Sequence, residues 1–208
     1  MIATPTWQWL GRADYRRVLA DQHAARARVW AGAPGVVMLC EHPAVITLGR
    51  AATEANILDA GDVPIERIER GGEVTYHGPG QLMIYPIVRL RSVVGFLEAV
   101  AAAITATCAA LGVAGAAWRR DPAGIWLGEH KLAACGIHVA RGVSVHGFAL
   151  NVDTPPDAWR MIRACGLGVP QISLAGARGA SIAVEQVAHE LGPRVVRALA
   201  AVPALPAA

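Results

Sequence analysis

Apolar residues recur at helical spacing in several parts of the chain. In one of them, an apolar stripe repeats every four residues through Phe96, Val100, Ile104 and Cys108, with Ser92 in position to cap the helix start. The helices predicted in this way cover residues 14–30, 92–111 and 181–200, with a short one over residues 155–163. Each of the long helices has an apolar side that can pack against a neighbouring layer.

Short apolar runs bounded by turn residues predict strands between these helices. Gly128, Glu129 and His130 form a short link between two such runs, which predicts a hairpin. The predicted strands cover residues 6–10, 36–40, 44–48, 81–85, 124–127, 131–139 and 143–152. Because strands and helices mix without regular βαβ alternation, we expect an α+β fold. We expect a single domain over residues 1–208, with a tail that frays from about residue 201.

The composition is that of a globular chain. Hydrophobic residues make up 54% and charged residues 17% of the 208 positions, which argues against disorder. The net charge is +3 and the arginines are scattered, so no nucleic-acid surface is expected. Residues 93–118 are nearly uncharged, but Glu98 interrupts them and Gly112 and Gly115 end them. We therefore expect a helix of the protein core there, and no membrane span.

The cysteine pattern and the N-terminus bear on the compartment. The four cysteines lie far apart, without a CxxC pair, which is typical of free thiols in a reducing compartment; they are Cys40, Cys108, Cys135 and Cys165. Residues 1–12 lack the charged and apolar regions of a signal peptide. We therefore expect a cytoplasmic protein. Without HxxxH or HExxH pairs, no metal site is expected, and no catalytic role is assigned to a histidine.

A glycine-rich stretch over residues 70–86, RGGEVTYHGPGQLMIYP, stands out as a candidate pocket wall. Glycines let the backbone approach a ligand closely, because no Cβ intervenes. The stretch then continues into an apolar, strand-like run. It contains neither GxxxxGK[ST] nor GxGxxG, so it is not a phosphate loop. An ordinary loop with a Pro-Gly turn is the alternative interpretation.

Two residues are candidates for covalent chemistry. Of the 19 basic residues 18 are arginine, and the one lysine is Lys131. A lysine amine can lose its proton whereas a guanidinium cannot, so this lysine is a candidate acid and base, although chance retention is the alternative. Cys165 lies in a glycine-flanked segment after a predicted helix, where a thiol is accessible. A nearby cation such as Lys131 would favour its reactive thiolate. Cys40, Cys108 and Cys135 lie inside apolar runs and are expected to be core residues.

Five segments together resemble the lipoyl(octanoyl) transferase family. They are EHPAVITLGR, RGGEVTYHGPGQLMIYP, GEHKLAACGIHV, HGFALNVD and ACGL, in the family's order, over most of residues 41–174. The resemblance implies transfer of an octanoyl group from acyl carrier protein to a lysine of lipoyl domains, through a cysteine thioester. The implied acceptors are dehydrogenase E2 subunits and the glycine-cleavage H protein. It also implies the mixed-sheet α+β fold of biotin and lipoate protein ligases, with no cofactor. We further expect a monomer.

The resemblance also assigns residues. It implies that Cys165 accepts the acyl group and that Lys131 is its catalytic partner. The implied substrate-binding residues are Arg70, Gly71, Gly72, Glu73, Val74, Thr75, Tyr76, His77, Ala134, Cys135, Gly136, Gly147, Phe148 and Ala149. Two departures from the family are Ala164, where proline is expected, and Cys135, where an aliphatic residue is usual.

Two other functions remain open at the level of sequence. An ATP-dependent lipoate or biotin ligase shares the fold, although it needs a nucleotide site and no nucleophilic cysteine. A non-catalytic module that binds lipoyl domains is the alternative from another class, although it would have no use for Cys165 and Lys131 together.

Overall fold

The computed structural model describes residues 4–163 and 168–202 of the chain. Its helices are α1 (Tyr15–Trp30), α2 (Val93–Ala110), α3 (Leu174–Arg178) and α4 (Val184–Ala200), with 3₁₀ helices at Glu54–Asn56 and Pro156–Met161. Its strands are β1 (Thr6–Arg12), β2 (Val36–Glu41), β3 (Val45–Leu48), β4 (Ile65–Arg67), β5 (Val74–His77), β6 (Gln81–Ile87), β7 (Ala116–Arg120), β8 (Ala123–Leu127), β9 (His130–Ala140) and β10 (Val143–Asn151).

The long predicted helices are confirmed, and α2 is capped at its start by Ser92 as the sequence indicates. The Asp14 carboxylate accepts a hydrogen bond from the Arg17 amide, and the Ser92 hydroxyl accepts one from the Gly95 amide. The strand pattern missed β4, β5 and β7, and the helical pattern missed α3. These elements are only three to five residues long, so they carry too little periodicity to be recognised.

Two sheets form the framework. The central sheet has the strand order β1-β2-β6-β10-β9-β8-β7, in which β1 and β2 run parallel and every other neighbouring pair is antiparallel. The small sheet has the order β4-β3-β5. A mixed sheet with packed helices confirms the predicted α+β class.

The two faces of the central sheet pack differently. One face lies under α2 and α4 and forms the larger apolar core, with Leu39, Leu82, Ile84, Phe148 and Leu150 from the central strands. The other face is covered in part by α1, which packs on a second cluster that includes Met38, Met83, Tyr85 and Val145. The small sheet lies over the part of this face that α1 leaves free, and the Gly71 amide there donates a 3.0 Å hydrogen bond to the Ile137 carbonyl of β9.

Helix α2 is the strongly apolar segment noted in the sequence. Within the described ranges it is the one helix whose length and hydropathy would allow it to cross a membrane. Its buried face includes Phe96, Val100, Ile104 and Cys108, which belong to the core under the central sheet. The Glu98 carboxylate on another side pairs with Arg120 at 2.5 Å. These contacts favour the interpretation of α2 as a core helix.

Candidate active site

A cavity of about 340 Å³ lies between the central sheet and the small sheet. Its floor comes from β6, β9 and β10, and its roof from the glycine-rich stretch that begins at Arg70. The lining residues are Tyr15, Arg70, Gly72, Glu73, Thr75, His77, Met83, Tyr85, Asp121, Pro122, Ala123, Lys131, Ala134, Cys135, Gly136, His146, Gly147, Phe148 and Ala149. This volume is within the usual range for small-molecule sites.

Small residues on the floor create the space. Ala134 and Gly136 of β9 pair with Ala149 and Gly147 of β10, and all four line the cavity. A Cβ on Gly136 would lie 3.0 Å from the Gly71 carbonyl oxygen, so a side chain there would push the roof away. The floor and the roof can therefore approach each other closely only because these positions lack bulk.

Strand alternation divides the predicted pocket wall. Thr75 and His77 of β5 line the cavity, whereas Val74 and Tyr76 point to the other side of the small sheet. There Tyr76 packs edge-on against Trp159, with ring centroids 5.8 Å apart. In the structure Val74 and Tyr76 therefore pack the roof from behind instead of lining the cavity, which corrects the expectation that residues 70–77 form one continuous wall.

Arg70 ties the start of the roof to the small sheet. Its Nη2 donates 2.8 Å hydrogen bonds to both the hydroxyl and the carbonyl oxygen of Thr47, and its Nη1 donates one of 3.0 Å to the Gly71 carbonyl. The side chain is 7% exposed. A guanidinium held in this way keeps a positive charge at the cavity wall, where it is only weakly screened by water.

Lys131 is almost fully buried in the wall of the cavity, with 2% of its surface exposed. Its Nζ lies 5.2 Å from the ring centroid of Trp126, a cation–π distance. A Cβ on Gly124 would lie 2.7 Å from the Lys131 Cε, so the side chain crosses β8 where that strand has no side chain. Trp126 and Gly124 thus fix the direction of the amine.

The segment that follows residue 167 runs alongside Lys131. The Lys131 amide donates to the Pro170 carbonyl at 2.8 Å, and the Ile172 amide donates to the Lys131 carbonyl at 3.1 Å. Gln171 and Lys131 form a parallel bridge. Cys165, the predicted acyl acceptor, and Ala164, one of the two departures from the family, lie outside the described residues.

Cys135 borders both the cavity and the core under α2. Burial raises the pKa of its thiol to about 12, and the charge of Lys131 opposes that increase without overcoming it. A thiol with such a pKa is protonated near neutral pH and is a poor nucleophile. Cys40 and Cys108 are buried in apolar surroundings as predicted, and burial also raises the pKa of both thiols.

His77 lies in the roof within a hydrogen-bonded set of buried polar groups. Burial lowers the pKa of His77 well below its usual value, and the nearby charge of Arg70 adds to the effect. Its Nε2 is 3.2 Å from the Thr47 hydroxyl, and its Nδ1 is 3.3 Å from the Gln81 side-chain oxygen. His77 is therefore neutral near neutral pH.

His146 is a lining residue that sequence reasoning left unassigned. It adopts φ 60° and interrupts the pairing of β10 with β6, which is uncommon for a residue with a side chain. Its amide donates a 2.8 Å hydrogen bond to the Gln22 side chain of α1, and its Nε2 lies 3.5 Å from Glu69. Burial lowers the pKa of His146, although Glu69 opposes this change.

Other lining residues were also missing from the sequence-based site. Tyr15, Met83 and Tyr85 close the side of the cavity next to α1, and Asp121, Pro122 and Ala123 border it at the turn between β7 and β8. The strand alternation of β6 is the signal that would have pointed to Met83 and Tyr85, since both follow the glycine-rich stretch and face away from Leu82 and Ile84. Within the two described ranges, no group of three or more His, Cys, Asp or Glu side chains is arranged to hold a metal ion.

Comparison with known proteins decides the family. Residues 14–193 match the profile of the lipoyl protein ligase A/B catalytic domain. The octanoyltransferase of Solibacter usitatus (strain Ellin6076) is 42% identical over 202 residues, which cover 90% of this chain and 88% of that protein. The chain belongs to the octanoyltransferases of this domain family. This relationship confirms the resemblance read from the sequence motifs.

Solved structures of the lipoyl protein ligase family share the fold of this octanoyltransferase family member. A crystal structure of lipoate-protein ligase A bound with ATP superposes with a TM-score of 0.77 at 16% identity, covering 95% of this chain and 86% of that one. A biotin protein ligase from Aquifex aeolicus, in complex with biotin and ATP, superposes with a TM-score of 0.56 at 10% identity, covering 94% and 70%. The predicted likeness to the ligase fold is thus confirmed.

Proposed function

We propose that the protein transfers an octanoyl group from acyl carrier protein to the acceptor lysine of lipoyl domains, through a thioester on Cys165. The observation that supports this most strongly is a buried lysine amine in the wall of an apolar cavity, in a chain that belongs to the octanoyltransferases. The floor of small residues gives an acyl chain room, and Lys131 marks the part of the wall where chemistry takes place.

The described residues support Lys131 as the partner of Cys165. The Pro170 carbonyl accepts the amide hydrogen bond of Lys131, and Cys165 precedes Pro170 by five residues. This separation along the sequence permits contact between the side chains of Cys165 and Lys131. A thiolate would attack the carrier thioester, forming the enzyme thioester and expelling the carrier thiolate, which takes a proton from the Lys131 ammonium and leaves that amine neutral. The acceptor amine would then attack the enzyme thioester, forming the amide and releasing Cys165, while Lys131 removes the proton of that amine.

The structure argues against Cys135 in the role of acyl acceptor. Cys135 lies at the same cavity, but its thiol has a pKa near 12 and stays protonated. A protonated thiol attacks a thioester slowly because the thiolate is the nucleophile. Of the substrate-binding residues implied by the family resemblance, Val74 and Tyr76 are assigned to packing of the roof, and those that line the cavity are proposed to contact the acyl chain or its thioester.

The partners follow from this chemistry. The donor is the acyl carrier protein, and the acceptors are lipoyl domains of dehydrogenase E2 subunits and the glycine-cleavage H protein. We propose that the enzyme acts in the cytoplasm as a monomer, and that it needs no cofactor because the donor thioester is already activated.

A turnover assay with two donors tests this function. The purified protein is incubated with an apo lipoyl domain and either octanoyl carrier protein, or free octanoate with ATP and magnesium. We expect octanoylated domain, detected by mass, only with the carrier protein as donor. Modification that requires ATP would assign the protein to the ligases instead. Tight binding of the domain without turnover in either mixture would make it a binding module.

A further inference from the structure

Four buried polar side chains connect the roof of the cavity with Lys131. They are Thr47, His77, Gln81 and Asn151, which are 0%, 5%, 1% and 2% exposed. Buried polar groups destabilise the folded protein unless they are hydrogen-bonded. A continuous set of four between two parts of a candidate active site therefore needs a physical account.

The donors and acceptors allow one consistent direction along this set. Arg70 can only donate, and its Nη2 is 2.8 Å from the Thr47 hydroxyl oxygen. The Thr47 hydroxyl hydrogen is then available for Nε2 of His77, 3.2 Å away. A neutral His77 that accepts at Nε2 carries its hydrogen on Nδ1 and donates it to the Gln81 oxygen at 3.3 Å.

The same direction continues to the backbone of Lys131. The Gln81 amide nitrogen donates to the Asn151 side-chain oxygen at 3.0 Å. The Asn151 amide nitrogen then faces two carbonyl oxygens, those of Ile172 at 3.1 Å and Lys131 at 3.4 Å. Each of the four side chains in this hydrogen-bonded set is paired, and each donor points from the roof toward Lys131.

The last link joins two segments that must stay in register. Ile172 belongs to the segment that follows Cys165, and its amide donates to the same Lys131 carbonyl. Asn151, from the neighbouring strand β10, thus holds the backbone of Lys131 and the backbone of this segment together. The hydrogen-bonded set ends on two carbonyl oxygens, which accept hydrogen bonds but cannot pass a proton on. The set therefore does not act as a proton path.

We propose that Thr47, His77, Gln81 and Asn151 are positioning residues, which hold Lys131 in register with the segment after Cys165 and link that register to the roof at Arg70. The proposal rests on the proposed function, since register matters only if Lys131 and Cys165 act together. Displacement of a catalytic group by about 1 Å can slow a reaction on the order of a hundredfold. A small loss of alignment between Lys131 and the segment after Cys165 is therefore measurable as a slower reaction.

Substitutions of Thr47 and Asn151, the first and last members of the hydrogen-bonded set, test this positioning role. Asn151→Leu removes the donors to both carbonyls, and Thr47→Val removes the hydroxyl between Arg70 and His77 with little change of shape. Thr47→Ser restores that hydroxyl. The control is Thr107→Val in α2, where an equally buried hydroxyl donates to the Ala103 carbonyl at 2.8 Å, away from the cavity.

Two readouts separate positioning from stability. One is the pH profile of Cys165 alkylation by iodoacetamide, mapped by peptide mass, and the other is the single-turnover rate of octanoyl transfer to a lipoyl domain. For Asn151→Leu and Thr47→Val we expect an alkylation midpoint at higher pH and transfer on the order of ten- to a hundredfold slower. Thr47→Ser should recover both readouts, and Thr107→Val should change neither, although its melting temperature falls.

The outcomes distinguish this inference from the proposed function. If wild-type protein takes no octanoyl group on Cys165, the proposed function fails before the variants are considered. If wild-type protein does react there, and folded Thr47→Val and Asn151→Leu keep its alkylation midpoint and transfer rate, the positioning role is overturned. Should Asn151→Leu fail to fold, Thr47→Val and its serine counterpart decide the question.

Discussion

The two faces of the central sheet contrast most sharply along β10. Phe148 and Leu150 pack in the core under α2 and α4, with Phe148 also bordering the cavity, whereas Gly147 and Ala149 line the cavity from the other side of the strand. The same four consecutive residues thus fill one face and leave the other hollow. Because side chains alternate along a strand, a sequence that alternates small and large residues builds a packed core and a ligand site from a single strand.

The same strands therefore supply residues to both the cavity and the core. In β9 the neighbours Ala133 and Ala134 repeat the contrast, since Ala133 packs in the core and Ala134 lines the cavity. Substitutions on the core face should change stability, and substitutions on the cavity face should change catalysis or substrate choice.

The largest effect is expected on the cavity face, at Lys131. In Lys131→Arg the positive charge remains, so octanoylation of the enzyme should continue, but a guanidinium cannot accept the proton of the incoming amine. We expect the second half-reaction to slow on the order of 10²–10⁴-fold, the usual contribution of general acid–base catalysis. Single-turnover kinetics of each half-reaction, followed by mass, measure this. Near-normal rates in both halves would leave the lysine as a point charge only.

On the core face, Leu150→Ala should reduce stability strongly. Leu150 is fully buried between the central sheet and the helices, and truncation there leaves a cavity that the surroundings fill only in part. A loss of about 2–5 kcal/mol in the free energy of unfolding is expected, measured by urea denaturation. The KM for octanoyl carrier protein should stay near the wild-type value. A folded variant with unchanged stability would mean that this face is not the tightly packed one.

A matched pair of adjacent alanines sharpens the contrast. Ala134→Leu fills the cavity, so use of the octanoyl donor should fall by roughly tenfold or more, while a butanoyl donor is still accepted and stability changes little. Ala133→Leu overpacks the core and should cost about 1–3 kcal/mol of unfolding free energy without this change in donor preference. Steady-state kinetics with both donors and denaturation of both variants test the pair. Equal effects on donor preference would refute the division into two faces.

The pH dependence of stability is the smallest expected effect, and it belongs to the cavity side. Burial lowers the pKa of His42, His77 and His146, so the unfolded chain binds more protons than the folded one below the ordinary histidine pKa. The unfolding free energy should therefore decrease as pH falls from about 7.5 to about 5.5. His146→Gln should reduce this slope. A stability that rises on acidification would contradict the account.

Much of the framework could be predicted because its signals are local. The cap at Ser92, the fourfold stripe of α2 and the turn at Gly128 each follow from a few neighbouring residues. The short strand β5 could not be recognised, because four residues rich in polar side chains do not show alternation clearly. The family resemblance implied all four residues at the cavity, and only the alternation of the folded strand separates Val74 and Tyr76 from Thr75 and His77.

The site could be predicted in its parts but not in its assembly. The glycine-rich stretch and Lys131 were found from residue chemistry and motif resemblance, and both lie at the cavity. Tyr15 comes from α1 and His146 from a position of β10 with a positive φ, and only the folded chain brings them to the same wall. The links between Thr47, His77, Gln81 and Asn151 span more than a hundred positions of sequence, so no local pattern reveals them.

The most direct test of the central claim is the intact mass of the protein after incubation with octanoyl carrier protein alone. Wild-type protein and Cys135→Ser should each gain a single octanoyl group, and Cys165→Ser should gain none, since a hydroxyl is far less acidic than a thiol. Peptide mapping should place the group on Cys165. An octanoyl group on Cys165→Ser, or one mapped to Cys135 in the wild-type protein, would contradict the proposed mechanism.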